Sequence, residues 1–168
     1  MKRRVALTLA IAAAGLSSCG FRPLYAGGGD GLASSELTQI AVGPIDERSG
    51  WFLRNALVDR LGGFSDDSAA RYRLDVAIDD DITRFGIRGD AAATRERRTL
   101  RARYQLVDLV TGETLLDSTA GSDAGIDITS SEYATVAAEQ TAAERLSREV
   151  ADDIVNRLGL YFTQTADR

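Results

Sequence analysis

Thr99-Leu100-Arg101-Ala102-Arg103-Tyr104-Gln105-Leu106 decides the fold class. Leu100, Ala102, Tyr104 and Leu106 fall on one side of an extended chain and Arg101 and Arg103 on the other, the two-residue period of a half-buried β-strand. In the same phase upstream, Arg95, Arg97 and Thr99 lengthen the charged side, so Arg95, Arg97, Arg101 and Arg103 share one sheet face. Thr111-Gly112-Glu113 then reads as a three-residue turn into a fourth strand from Thr114 to Ile128. Keeping the apolar faces of the two strands together across that turn sets Val110 opposite Thr114. The same register predicts Arg101 opposite Asp123 and Arg97 opposite Asp127.

Upstream lies another strand, with Tyr72, Leu74, Val76 and Ile78 on one face. Its apolar parity flips farther on, at Thr83, Phe85 and Ile87, which predicts a bulge near Asp79–Asp81 before a turn at Arg88-Gly89-Asp90. A short first strand is expected from Leu37 to Val42, ended by Gly43-Pro44. Ser49 is expected to cap a helix whose inward face carries Leu53, Leu57 and Leu61, widened by Trp51, Phe52 and Ala56 and stopped by Gly62-Gly63. Trp51 reads as core. Thr129-Ser130-Ser131-Glu132 has the form of a capping box for a long helix. Its inward stripe is Tyr133, Ala137, Gln140, Ala143, Leu146, Val150, Ile154 and Leu158, with Gly159 near its end and Leu160-Tyr161-Phe162 as a tail. The order is βαβββα. The predicted fold is a two-layer α+β sandwich, a mainly antiparallel four-stranded sheet with two helices on one face, forming a single domain over 37–168.

The N-terminus carries a different signal. Lys2, Arg3 and Arg4 precede the apolar run Val5 to Leu16, and Leu16-Ser17-Ser18-Cys19 ends it with small residues and the chain's only cysteine. The layout is that of a secretory signal, too short for the ~20 residues of a spanning helix. A cysteine directly after the small residues is what lipoprotein maturation requires. Residues 1–18 are therefore expected to be removed and Cys19 to carry the lipid that holds the protein to a bilayer, each buried CH₂ contributing ~0.8 kcal/mol. Residues 19–36 are expected to be the lipidated terminus and a flexible tether, since Ala26-Gly27-Gly28-Gly29-Asp30-Gly31 is Gly-rich and a coil from Cys19 to Leu37 has a reach of roughly 20 Å.

Composition narrows the function. The net charge of −5 becomes −8 once Lys2, Arg3 and Arg4 leave with the signal, a balance that argues against a nucleic-acid partner. The chain has no histidine. That removes Ser-His-Asp and Cys-His catalysis and the usual zinc ligands, so no enzyme activity, metal or cofactor is expected. Asp79-Asp80-Asp81 lacks the spacing of a calcium loop and reads as a solvated or bulged strand end.

At Cys19-Gly20-Phe21-Arg22-Pro23-Leu24-Tyr25 the chain resembles the mature start of the LptE family of lipopolysaccharide-assembly lipoproteins, in its alphaproteobacterial form. The βαβββα order, the segment Tyr104 to Glu113 and the long last helix agree with it. The resemblance implies an outer-membrane lipoprotein on the periplasmic side that plugs the LptD β-barrel, assists its assembly and helps deliver lipopolysaccharide to the cell surface. Gly20 after the lipidated cysteine is compatible with transfer to the outer membrane. The alternative is an envelope lipoprotein that assists another periplasmic synthase or a lipid-transport machine. For lipopolysaccharide, the arginine row has two readings: guanidinium forks for lipid A phosphates, or cross-strand neutralisation by aspartates. The expected register favours neutralisation for Arg97 and Arg101, leaving Arg95 and Arg103 for ligand or barrel.

Overall fold

The computed structural model describes residues 32–62, 70–87, 93–128 and 131–166. In chain order the elements are helix α1 (Leu32–Leu37), strand β1 (Ile40–Val42), helix α2 (Glu47–Leu61), strands β2 (Tyr72–Ile87), β3 (Ala93–Asp108) and β4 (Thr114–Asp127), and helix α3 (Glu132–Ala166). The strands form one sheet in the order β1-β2-β3-β4.

The sheet is mixed, which corrects the mainly antiparallel expectation. β1 runs parallel to β2 with Ile40 beside Tyr72, while β2–β3 and β3–β4 are antiparallel. Helix α2 returns the chain between β1 and β2, and a crossover helix leaves its flanking strands pointing the same way. A second correction concerns the tether. Helix α1 starts at Leu32, inside the stretch 19–36 expected to be flexible, and β1 begins only at Ile40. Burial explains the order found there: Leu37 is buried, α1 packs on α3, and the Tyr72 hydroxyl donates to Glu36 at 2.9 Å.

Leu74, Leu100, Ala102, Tyr104 and Leu106 are buried on the sheet face that packs against the helices. Against them lie Leu53, Leu57 and Leu61 of α2 and Leu146, Val150, Ile154 and Leu158 of α3. Helix α2 stops as its sequence predicts: Gly62 takes φ +59° and returns its N–H to the Val58 carbonyl, a left-handed cap that a side chain would strain. Two other expectations for this helix fail. Ser49 lies inside it, buried, and Trp51 is 61% exposed, its ring set edge-on against Phe52 instead of the core.

The long helix departs from its predicted stripe at both ends. Ala143, Leu146, Val150, Ile154 and Leu158 are buried, but Tyr133 is 86% exposed, and Ala137 and Gln140 also face solvent. At the other end the helix runs through Gly159 to Ala166 because Phe162 is buried against Tyr72, with ring centroids 5.3 Å apart. The predicted cap at Thr129 lies outside the described residues. Ser131 supports the helix start, its Oγ accepting from the Ala134 N–H at 3.4 Å.

Candidate functional site: the outer sheet face

Alternation places Arg95, Arg97, Arg101 and Arg103 together on the side of β3 away from the helices, and all four are exposed. Their partners are set by the β3–β4 turn, which differs from the expected one. Asp108 Oδ1 accepts from the N–H groups of Val110 at 2.8 Å and Thr111 at 3.1 Å, an aspartate-nucleated turn. The Gly112 N–H returns to the Asp108 carbonyl at 2.8 Å with φ +72°. The loop therefore closes at Asp108. Thr114 pairs with Val107 instead of Val110, and a register shift between Leu106 and Val107 completes the change.

β4 is thus displaced by an even number of residues, so faces are kept while partners change. Arg101 stands opposite Gly121 and not Asp123; Arg97 stands opposite Gly125 and not Asp127. The expected pairing is overturned for both. Arg95 instead faces Asp127 and donates to it at 3.0 Å, and Arg103 donates to Asp117 at 2.8 Å. Arg97 lies 3.7 Å from Asp123, with its guanidinium 5.8 Å from the Phe85 ring centroid. Hydrogen bonds from Arg103 and Gln105 pull the Asp117 carboxyl down to about 2.

Arg101 is the exception in the row. Among the described residues no carboxylate lies within 4.0 Å of it, although Asp79 is its directly opposed neighbour on β2. Its side chain lies across Gly121, where an added Cβ would sit 3.3 Å from Cγ and 3.4 Å from Nη1. Glycine at 121 gives this arginine its bed. Ala77, Asp79, Arg103 and Thr119 complete an open depression of about 470 Å³ around it.

The inner face holds a second polar constellation that the alternation did not reveal. Asp80 accepts from Arg98 at 2.8 Å (Nε to Oδ1) and 2.6 Å (Nη2 to Oδ2), and also from the Ser49 hydroxyl. Arg98 continues to the Glu139 carbonyl at 2.9 Å, and Ser147 donates to the Ser49 carbonyl at 3.3 Å. Burial alone would raise the Asp80 carboxyl; the hydrogen bonds from Arg98 and Ser49 outweigh it and hold it below the ordinary range. This cluster joins β2, β3, α2 and α3. It also removes the predicted bulge, since β2 pairs with β3 in unbroken register from Tyr72–Asp108 to Phe85–Arg95. The parity flip read from the sequence was Asp80 and Arg84 pointing inward to buried partners while Thr83 and Phe85 stay on the outer face, not a strand changing face. The available signal was Glu96 and Arg98, charged residues in the inward phase of Leu100.

Cys19 lies outside the described residues. Among those described, no cluster of three or more acidic, histidine or cysteine side chains is placed to hold a metal ion, and no helix is long and apolar enough to cross a membrane.

The family model for LptE, lipopolysaccharide-assembly, matches residues 37–158. A Caulobacter crescentus CB15 chain described as a lipoprotein is similar in structure, with 26% identity and a TM-score of 0.64 over 78% of this chain and 96% of its own. Rare lipoprotein B of Shewanella oneidensis shares the fold at 10% identity and a TM-score of 0.58, over 76% of this chain and 98% of its own. Lipoprotein B of Nitrosomonas europaea does so at 8% identity and 0.58, over 74% of this chain and 83% of its own. No curated protein sequence is significantly similar. With the family match spanning every strand and most of α3, the chain belongs to the LptE family of lipopolysaccharide-assembly proteins.

Proposed function

We propose that this chain is the lipid-anchored partner of an LptD-like outer-membrane β-barrel, sitting on the periplasmic side, assisting the barrel's assembly and helping to pass lipopolysaccharide to the cell surface. In this reading residues 1–18 are removed, Cys19 carries the acyl chains, and the folded domain docks in the barrel. The role is binding and assembly, not catalysis. The observation that carries the reading is the family match over 37–158.

The outer sheet face supplies the chemistry for the ligand half. Lipid A phosphates are doubly acceptor-rich anions, and a planar guanidinium can hold two of their oxygens at once. Arg95 and Arg103 must each leave an aspartate to do so, whereas among the described residues Arg101 has no carboxylate to give up. Phosphate contact therefore centres on Arg101 in its depression, with Arg103 and Arg97 flanking it and Arg95 at the end of the row.

Extraction of the full-length protein from envelopes in mild detergent tests the partner. Recovery in a stoichiometric complex with a large β-barrel is expected, and Cys19→Ala should abolish palmitate labelling while leaving the domain folded. Recovery with a periplasmic synthase or an inner-membrane transporter, and no barrel, would overturn the assignment.

A further inference from the structure

We propose that the Glu139 carboxyl carries a proton that it donates to the buried Oε2 of Glu96, and that this hydrogen bond fastens the first turns of α3 to the sheet. Glu96 projects from the inner face of β3 and is 1% exposed. Its Oε1 accepts from Arg84 Nε at 2.6 Å, but its Oε2 is buried and meets no N–H donor and no hydroxyl. A buried carboxylate oxygen without a donor has lost its hydrogen bonds to water and gained none in return, a penalty that is larger for a charged group. Besides Arg84, the carboxyl of Glu139 on α3 comes within hydrogen-bonding reach of Glu96. A second carboxylate there would place two negative charges together; a carboxylic acid would supply the donor that Oε2 lacks.

The charged groups around Glu139 come from both strands beneath it: Glu96 and Arg98 of β3 and Arg84 of β2. Burial, then the hydrogen bond and charge of Glu96, push the Glu139 carboxyl above the ordinary glutamate range, and Arg84 and Arg98 oppose this only in part. The two arginines also disfavour a metal cation as the bridging species, since one is bonded to Glu96 itself.

Position gives the pair its consequence. Between Glu132 and Thr141 the helix buries no side chain fully, and Tyr133 and Val136 are 86% and 55% exposed. Among the described residues, the Arg98 bond to the Glu139 carbonyl and the carboxyl pair tie this overhang to the sheet. A carboxyl raised in the native state contributes stability that is fully present below its ordinary midpoint of 4.5 and is lost as pH rises through the higher native one. The overhang is fastened in acid and loosened as pH rises.

The test is a carboxyl ¹³C titration of the glutamates in the detergent-solubilised full-length protein, with amide hydrogen exchange over residues 132–141 corrected for the intrinsic pH dependence. Glu139 should titrate above ordinary glutamates, and Glu96→Gln should lower its midpoint. Glu139→Gln carries a donor at every pH, so protection of the overhang should stop falling as pH rises. Should Glu96→Gln not fold, the Glu139→Gln exchange profile alone decides. An ordinary Glu139 midpoint in the unmodified protein, or an exchange profile in Glu139→Gln that falls with pH as before, overturns the proposal.

Discussion

The two faces of one sheet use the same chemistry to opposite ends. On the outer face Arg103 meets Asp117 at 2.8 Å, with side chains 68% and 38% exposed; on the inner face Arg98 meets Asp80 at 2.6 Å, with side chains 15% and 6% exposed. The geometry is nearly the same, but the solvent is not. Water screens the outer pair and competes for its hydrogen bonds, so such pairs contribute little to folding. The inner pair has given up its water, and each ion depends on the other. The outer face is therefore free to be rearranged by a ligand or a barrel wall, and the inner face is not.

The largest effect expected from breaking this contrast is at Asp80. Asp80→Ala leaves the Arg98 guanidinium buried without its counter-ion, which should cost about 3–5 kcal/mol in urea denaturation. Domains of this kind have only about 5–15 kcal/mol in total. Because the Asp80 carboxyl is held low, its contribution is present above the ordinary midpoint of 3.8 and lost as pH falls through the native value. Acid destabilisation should accordingly be shallower in the variant. A loss under 1 kcal/mol would mean that water reaches the pair.

Ser49→Ala comes next. It removes one hydroxyl that donates to Asp80 and accepts from Arg98 at 3.2 Å while leaving the ion pair, so a cost of about 1–2 kcal/mol is expected by the same measurement. No change would show that Arg98 alone satisfies Asp80.

The outer pair gives the smallest effect on stability and a clear one on titration. Arg103→Gln should unfold at the same urea concentration as the unmodified protein, within error. The Asp117 midpoint, about 2, should climb toward 3.8 in a carboxyl NMR titration. A marked loss of stability would place this pair in the same class as the inner one.

How much of this was legible in the sequence follows the same division. The alternation at Leu100 to Leu106 placed the four arginines on the correct face, and the leucine spacing of α2 with Gly62 after it gave that helix and its end. Pattern reading succeeds where polarity tracks exposure. It failed at Asp80, Glu96 and Arg98, because charged residues that neutralise one another inside look, one at a time, like surface. It failed at the β3–β4 register because the decisive contact is a side chain, Asp108, capturing two backbone amides of its own loop. Helix α1 was missed because six residues carry too little local propensity to announce a helix, which forms here by packing on α3.

If the inner face holds the fold and the outer face holds the ligand, Arg101 is where the two roles separate most cleanly. Arg101→Gln should leave the urea midpoint unchanged, since among the described residues no carboxylate is orphaned. A charge-assisted contact contributes about 1.5–3 kcal/mol, so lipopolysaccharide binding by the full-length protein should weaken about tenfold or more. The loss should exceed that of Arg103→Gln and should vanish with lipopolysaccharide lacking the lipid A phosphates. Native lipopolysaccharide bound as tightly by Arg101→Gln as by the unmodified protein would contradict the assignment and leave the arginine row as a salt-bridged surface or a barrel contact.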